Sequence, residues 1–546
     1  MFTPTAANNP SIRRAPLVGL LLLWFVACVL AIVALGDLPL RDFDEGIVAR
    51  VAFELSHKQG AEALLPTLWD SPYINKPPGL HWLIATGIQL NNSGGSSLTG
   101  LPSNTVVRLA PALLSTLIVP LGGLVQWHLR PNDRTSCLAT AAILLTLMPV
   151  VRHGRLAMLD GPQLSAMALL WVLVLSLNRS PMDRWRTLGA GLISSGMLLL
   201  KAPLLLPAAA AALIPILWSG EFRQWWRWPL AGWFGVGLIP GVAWHLWHGL
   251  HRGAGALWLW GGDGAGRVLF DAGEGSDLGW RVPAIEMLEG GWPWLLLWPF
   301  AMAWAWRQRQ NRWGKWALGT QAVLAIAILP LKTQLPWYSH PLWLPFALLC
   351  GAPMAWLIHR KDLTNPPGAA VLKHVPFLWL ALGVSLVLFG LIGASGLVIT
   401  LHSYSGIALA AGVGWSIGGW LMLRPTHAKR KLGAISMVAG SVAALYLLMG
   451  SSLWLWELNE NWPVEPVAQL AAQAKGAKVV LEGNDERPSL NWYAGQRISS
   501  LDAVPDAEWI LTRNPQRISS MAQERQCKVA QSKEDWALLF CGPQSQ

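Results

Sequence analysis

Three acids stand within four residues at Asp42-Phe43-Asp44-Glu45, and four cations follow at wide spacing, Lys76, Arg155, Lys201 and Lys332. Arg155 opens an Arg-x-x-x-x-Asp motif closing at Asp160, and Lys332 opens a Lys-Thr-Gln-Leu-Pro-Trp-Tyr-Ser-His run that carries Tyr338 and His340. A carboxylate can take a proton from a hydroxyl, and cations can neutralise charge growing on a phosphate leaving group. Together these residue types describe an anion site beside a carboxylate. Each has a plainer reading. Asp44 could cap a helix, a lysine at a helix end commonly snorkels to a membrane interface, and Asp160 could simply hold Arg155 by a charge-assisted bond.

The elements that must position these groups are membrane spans. Apolar residues make up 53% of the 546, charged residues only 13%, and mean hydropathy is +0.38, a composition for lipid rather than for a water-surrounded core. About 20 apolar residues cross a bilayer. By that rule we read about thirteen spans, at 16–36, 106–127, 135–151, 162–177, 187–200, 203–218, 229–250, 291–308, 315–331, 337–357, 374–399, 402–422 and 432–456. The first run is longer than the apolar stretch of a cleaved signal peptide and leads straight into the acidic motif, so it is kept as a span.

Lys and Arg set the orientation, because cytoplasmic loops near span ends retain positive charge. Arg13 and Arg14, Arg130 and Arg134, Arg179 to Arg186, Arg223 and Arg227, Arg307 to Lys315, Arg360 to Lys373, and Arg424 to Lys431 fall on alternate loops. That pattern puts the N-terminus in the cytoplasm and the acids, the four cations, Tyr338 and His340 on the outer face. A net charge of +11 and a pI near 9.7 can signal nucleic acid. Here the charge lies in cytoplasmic loops, where topology and anionic lipid headgroups account for it.

Three segments lie outside in bulk. The first outer loop, 37–105, carries the acids and a stretch at 44–57 in which Ile47, Val51 and Leu55 recur every four residues, an amphipathic helix suited to the bilayer surface. The second, 251–290, is rich in Gly and charge. The tail, 457–546, reads as a small α/β module with strands at Val479–Leu481, near Trp509–Leu511 and at Ala537–Phe540. Residues 1–456 form the membrane domain. Cys527 and Cys541 lie in the tail, where a disulfide could persist; Cys28, Cys137 and Cys350 sit in apolar spans as packing residues. No cysteine or histidine spacing for zinc occurs, so no cofactor is firmly indicated. Asp42 and Asp44 are open as ligands to a divalent cation, because a D-x-D pair is how metal-assisted transferases hold a nucleotide-sugar diphosphate. Nucleotide sugars are cytoplasmic, whereas this motif faces outward, so a sugar donor on that face has to be lipid-linked.

Taken in order, Asp44-Glu45, Lys76-Pro-Pro, Arg155 to Asp160, Lys201-Ala-Pro, Gly291-Trp-Pro-Trp294 and Lys332 through Pro341 resemble the GT-C membrane glycosyltransferases related to protein O-mannosyltransferases and lipid A aminoarabinose transferases. The resemblance covers residues 15–350. It implies an all-α multi-span membrane fold, a bacterial inner membrane location with site and C-terminus in the periplasm, and transfer of a sugar, with inversion, from a polyprenyl-phosphate carrier to a lipid, glycan or protein acceptor. It further implies that Asp44, with Glu45, supplies the base or orients the acceptor, that Lys76, Lys332 and Tyr338 bind the carrier phosphate with Lys201 and Arg50 in support, and that Arg155, Asp160 and His340 meet substrate. The sequence departs from the aminoarabinose transferases after the acidic pair: Gly46 and Ile47 stand where a polar side chain is common, and Arg50 is the nearest arginine. A flippase of lipid-linked sugars is the alternative from another class. Such transporters carry internal repeats and mid-membrane charge, and neither is visible.

Overall fold

The structure is a computed structural model, and it describes residues 14–91, 100–220, 227–256, 279–332, 334–360, 365–454, 462–474, 476–483, 486–513, 520 and 527–542. Most of the second outer loop, including Asp263, Arg267, Asp271, Glu274 and Asp277, lies outside the described residues. The chain divides into two compact units, one of residues 1–33, 113–155 and 159–451 and one of residues 34–112, 156–158 and 452–546.

The first unit is helical. Among the described residues seven helices of the chain are long and apolar enough to cross a bilayer, and eight if the bent pair Arg134–Thr146 and Met148–Gly154 is one span. That pair breaks by 59° at Leu147, whose backbone is extended (ψ 111°), and Pro149 in the first turn beyond it has no N–H for an i−4 bond across the break. The expected spans 187–200 and 203–218 appear as two arms of one run, Asp183–Ser219, divided by non-helical backbone at Lys201 (φ −150°, ψ 85°). Pro203 supplies the reason, since it leaves a carbonyl one turn back without its donor. Helices Val375–Ala394, Ser405–Met422 and His427–Met449 pack through small residues. A Cβ on Gly414 would stand 2.4 Å from the Gly440 Cα, the close backbone approach that small residues permit in membranes.

The second unit joins the first loop to the tail. The amphipathic helix is present as Glu45–Ser56, but its apolar face is not left for lipid. Val51 and Leu55 are buried against Tyr73 and Ala85, the latter from helix Gly79–Leu90. Gly46 lies so close to the helix Pro488–Ala494 that a Cβ there would meet the Ser489 nitrogen at 2.7 Å. The tail carries a five-stranded sheet in the order Ser499–Ser500, Val479–Leu481, Trp509–Thr512, Trp536–Phe540, Lys528–Lys533. Its first three strands are parallel, with Val480 opposite Ile510, and the last two run antiparallel. Val479 and Leu481 feed the core under helix Val464–Ala472, and Val480 the core on the other face, the two-residue alternation of a strand covered on both sides. Cys527 and Cys541 are joined in a disulfide.

Candidate active-site residues

In the second unit the acidic motif is a tight turn whose three carboxylates have different fates. Phe43 sits in the left-handed region (φ 55°), a conformation costing a non-glycine residue roughly 1 kcal/mol or more. It separates Asp42 from Asp44. Asp42 accepts from the Arg487 guanidinium and from both the backbone N–H and hydroxyl of Ser489, so both its oxygens are bonded within the tail. The divalent-cation pair expected at Asp42 and Asp44 therefore has one member already engaged by an arginine. Among the described residues no three His, Cys, Asp or Glu side chains group as a metal site.

Glu45, expected beside Asp44 in catalysis, is fully buried (0% exposed). Its oxygens accept from Arg108 Nε at 2.8 Å and Nη2 at 2.6 Å, from the Arg41 N–H at 3.0 Å and from the Ala157 N–H at 2.7 Å. With four donors and no exposure it is enclosed by its hydrogen-bond partners. Asp44 is half-buried, stands at the N-terminus of helix Glu45–Ser56, and makes no capping bond to it. Its charge reaches Tyr73, whose hydroxyl is held above its ordinary pKa by burial first and by Asp44 second.

Arg50, expected at a carrier phosphate, is clamped inside the same loop. It donates to Glu54 Oε1 at 2.7 Å and lies 3.8 Å over the Trp69 ring. Glu54 in turn accepts from Thr67 Oγ1 at 2.6 Å and the Trp69 N–H at 2.8 Å. Lys76 is half-buried ahead of the buried Pro77 and Pro78. These prolines restrict its backbone to extended geometry, and the Pro77 carbonyl accepts from His81 Nδ1 at 3.2 Å, so the lysine leaves a rigid stem.

In the first unit, Lys201 is half-buried at the kink, and its Nζ donates to Asp160 Oδ1 at 2.8 Å while standing 4.9 Å from the Tyr338 ring centroid. Gln163 donates to the Lys201 carbonyl at 3.4 Å, taking up one of the acceptors the break exposes. The expected partner of Asp160 was Arg155; the structure supplies Lys201. Arg155 instead donates to the Leu30 and Val33 carbonyls at 2.9 and 2.5 Å, where a cation satisfies the last turn of helix Leu17–Ile32 and its dipole. These bonds clamp the helix that precedes the acidic turn in sequence.

His340 is 1% exposed, and neither ring nitrogen has a hydrogen-bond partner among the described residues. Its ring faces His153 at 5.2 Å, and Asp160, Lys201 and Arg152 lie within electrostatic reach. Lys332 is exposed on the loop that follows helix Arg312–Ile328. Gln334 sets that loop by donating to the Ile328 carbonyl at 2.9 Å and to those of Leu331 and Leu329. Asp160, Lys201, Tyr338 and His340 therefore stand together.

Sequence reading missed Arg108, Arg487, Glu54, Gln163 and Gln334. Arg108 alone carried a signal: an arginine in an otherwise apolar run has to be paired.

A family model described as dolichyl-phosphate-mannose-protein mannosyltransferase matches residues 79–253. The undecaprenyl phosphate-alpha-4-amino-4-deoxy-L-arabinose arabinosyl transferase of Erwinia tasmaniensis is 25% identical over 76% of the chain and 65% of its own length. The corresponding transferase 1 of Pseudomonas fluorescens is 30% identical over 53% of the chain and 52% of its own length. The chain thus spans between half and two thirds of these two relatives. Its fold is that of the crystal structure of ArnT from Cupriavidus metallidurans bound to undecaprenyl phosphate, at TM-score 0.70 and 16% identity over 97% of the chain and 100% of that protein.

Proposed function

We propose that this chain, which belongs to the GT-C membrane glycosyltransferases of the protein-mannosyltransferase and aminoarabinose-transferase type, moves a sugar from a polyprenyl-phosphate carrier to a hydroxyl or phosphate acceptor on the outer face of a bacterial inner membrane. The observation that carries this reading is the division of labour in the acidic turn. Arg487 holds Asp42 and Arg108 holds the fully buried Glu45, and Asp44, half-buried between them at the N-terminus of its helix, is the carboxylate we assign as the base.

In this mechanism Asp44 takes the proton of the acceptor, or orients it, as its oxygen attacks the anomeric carbon. The bond from that carbon to the carrier phosphate breaks on the opposite face, so the configuration inverts and the polyprenyl phosphate leaves with the electron pair. Lys76, Lys332 and Tyr338 are assigned to the phosphate, where fixed positive charge and a hydroxyl donor lower the barrier more than in water. Lys201 and Asp160 act as one polar pair toward substrate, with His340 beside them. No acid is needed on the leaving side, unlike the paired carboxylates of glycoside hydrolases. The alternation of Lys and Arg along the loops supports the thirteen-span topology with a cytoplasmic N-terminus and a periplasmic tail from 457 onward.

Transfer of radiolabelled sugar from a panel of polyprenyl-phosphate sugars, with purified protein and its Asp44→Asn and Lys76→Ala variants, tests the reading. Transfer by the native chain and its loss in both variants is expected. Carrier binding without transfer by the native chain would overturn it in favour of a flippase.

A further inference from the structure

Away from these groups, the first unit holds a cavity of 1190 Å³ bounded by helices Leu17–Ile32, Arg134–Thr146, His340–His359 and His427–Met449. It exceeds the roughly 300–1,000 Å³ of sites for drug-sized ligands. Its walls are apolar along most of their length, and Leu22 and Ile435 on its lining are 63% and 54% exposed, so the cavity opens sideways as a groove. From Lys431 to Tyr446, both on its lining, helical rise gives roughly 22 Å, more than the ~15 Å of one leaflet of a ~30 Å hydrocarbon core.

The basic and histidine side chains of the lining are gathered at one end. Arg134 and His427 begin their helices and His359 ends its own, with Lys431 one turn into the last helix. His359 is bonded to Thr135 at 2.8 Å, and its ring lies 4.6 Å from that of His427, tilted by 36°. Among the described residues no Asp or Glu lines the cavity. The acid next to it, Asp133, is turned away, bonded to Arg130 at 3.0 Å and capping the Ser136 N–H at 2.9 Å. A long apolar trough closed at one end by two permanent cations and two histidines matches an amphiphile with an anionic head and long tails.

We propose that this groove is a binding site for an anionic phospholipid, its phosphate at Arg134 and Lys431 and its acyl chains along helices Leu17–Ile32 and His427–Met449. The lysines and arginines at this end place it at the cytoplasmic leaflet. The lipid is therefore distinct from a carrier that gives up its sugar on the outer face.

The test uses the full-length protein in nanodiscs of phosphatidylcholine doped with phosphatidylglycerol, with retained lipid counted by native mass spectrometry. The native chain is expected to retain phosphatidylglycerol over phosphatidylcholine. Arg134→Gln and Lys431→Gln each lower that preference about five-fold, and Ala443→Trp, which fills the trough, lowers retention of both lipids. Because the two charge variants alter exposed side chains, unchanged thermal melting separates their effect from misfolding. Equal retention of the two lipids by the native chain, or a preference that survives the double charge variant, would overturn the proposal.

Discussion

Arg108 directs all five of its N–H donors at named acceptors, two of them the oxygens of Glu45. Nε and Nη2 reach the carboxylate at 2.8 and 2.6 Å, Nη1 reaches the Leu35 and Leu38 carbonyls at 3.0 and 2.8 Å, and Nη2 also reaches Pro39 at 2.7 Å. Both side chains are 0% exposed. The pair ties the segment before the acidic turn to the helix after it.

Removing one partner leaves a buried charge uncompensated, a loss of about 3–5 kcal/mol. Glu45→Gln and Arg108→Leu should therefore melt well below the native protein in detergent. Arg108→Lys should also lose stability, because an ammonium has three donors and no fork. Native-like melting in all three variants would remove Glu45 from its positioning role.

Asp42 and Asp44 should separate by readout. Asp44→Asn is expected to lower turnover by about 10²–10⁴-fold, the usual range for a general base, with melting unchanged. Asp42→Asn should lower melting and affect turnover only as much as folded protein is lost. A side-by-side transfer and thermal-melting assay distinguishes them, and a reversed pattern would assign the base to Asp42.

Lys201 and Asp160 touch at 2.8 Å and should behave as one unit. Lys201→Gln and Asp160→Asn are each expected to raise KM for the carrier about ten-fold, equivalent to about 1.4 kcal/mol. The double variant should be much less than a hundred-fold worse, since residues in contact are not additive. Full additivity in steady-state kinetics would mean the pair acts at two independent places.

His81 gives a pH dependence with a definite sign. Burial lowers its pKa to about 4, against a smaller opposing effect of the Pro77 carbonyl. A base whose folded pKa is depressed contributes fully above its unfolded value near 6.5 and loses that contribution as pH falls toward 4. By pH 5 the loss is about 2 kcal/mol. Melting measured from pH 7.5 to 5 should fall more steeply for the native chain than for His81→Leu, and parallel profiles would exclude this histidine as the cause.

The parts of this molecule legible in its sequence are those with a local signature. Val479–Leu481 is a three-residue apolar run and is a strand; the four-residue recurrence of Ile47, Val51 and Leu55 is a helix; Lys201-Ala-Pro203 marks a break, and the break is there. What sequence could not show is which neighbour each charge finds. Asp160 and Arg155 are five positions apart, yet the observed partner of Asp160 is 41 positions away. Arg50 is near the acids in sequence and is held by Glu54, since an i,i+4 partner on the same helix face needs no ligand to satisfy it. The exposed strand Lys528–Lys533 carries no apolar alternation to announce it. Gly46, a departure from the aminoarabinose transferases at the level of sequence, has a steric reason that only the approach of Ser489 reveals.

The clasp of Arg487 on Asp42 joins residues 445 positions apart. At a synthesis rate of about 5–20 residues per second, the ribosome delivers the second half of that contact roughly 20–90 seconds after the first. During this interval the nascent acidic turn has neither Arg487 nor Ser489 to hold Asp42. The turn is completed by a segment made long after it, so the setting of Asp42 beside Asp44 is timed by the arrival of Arg487 and Ser489.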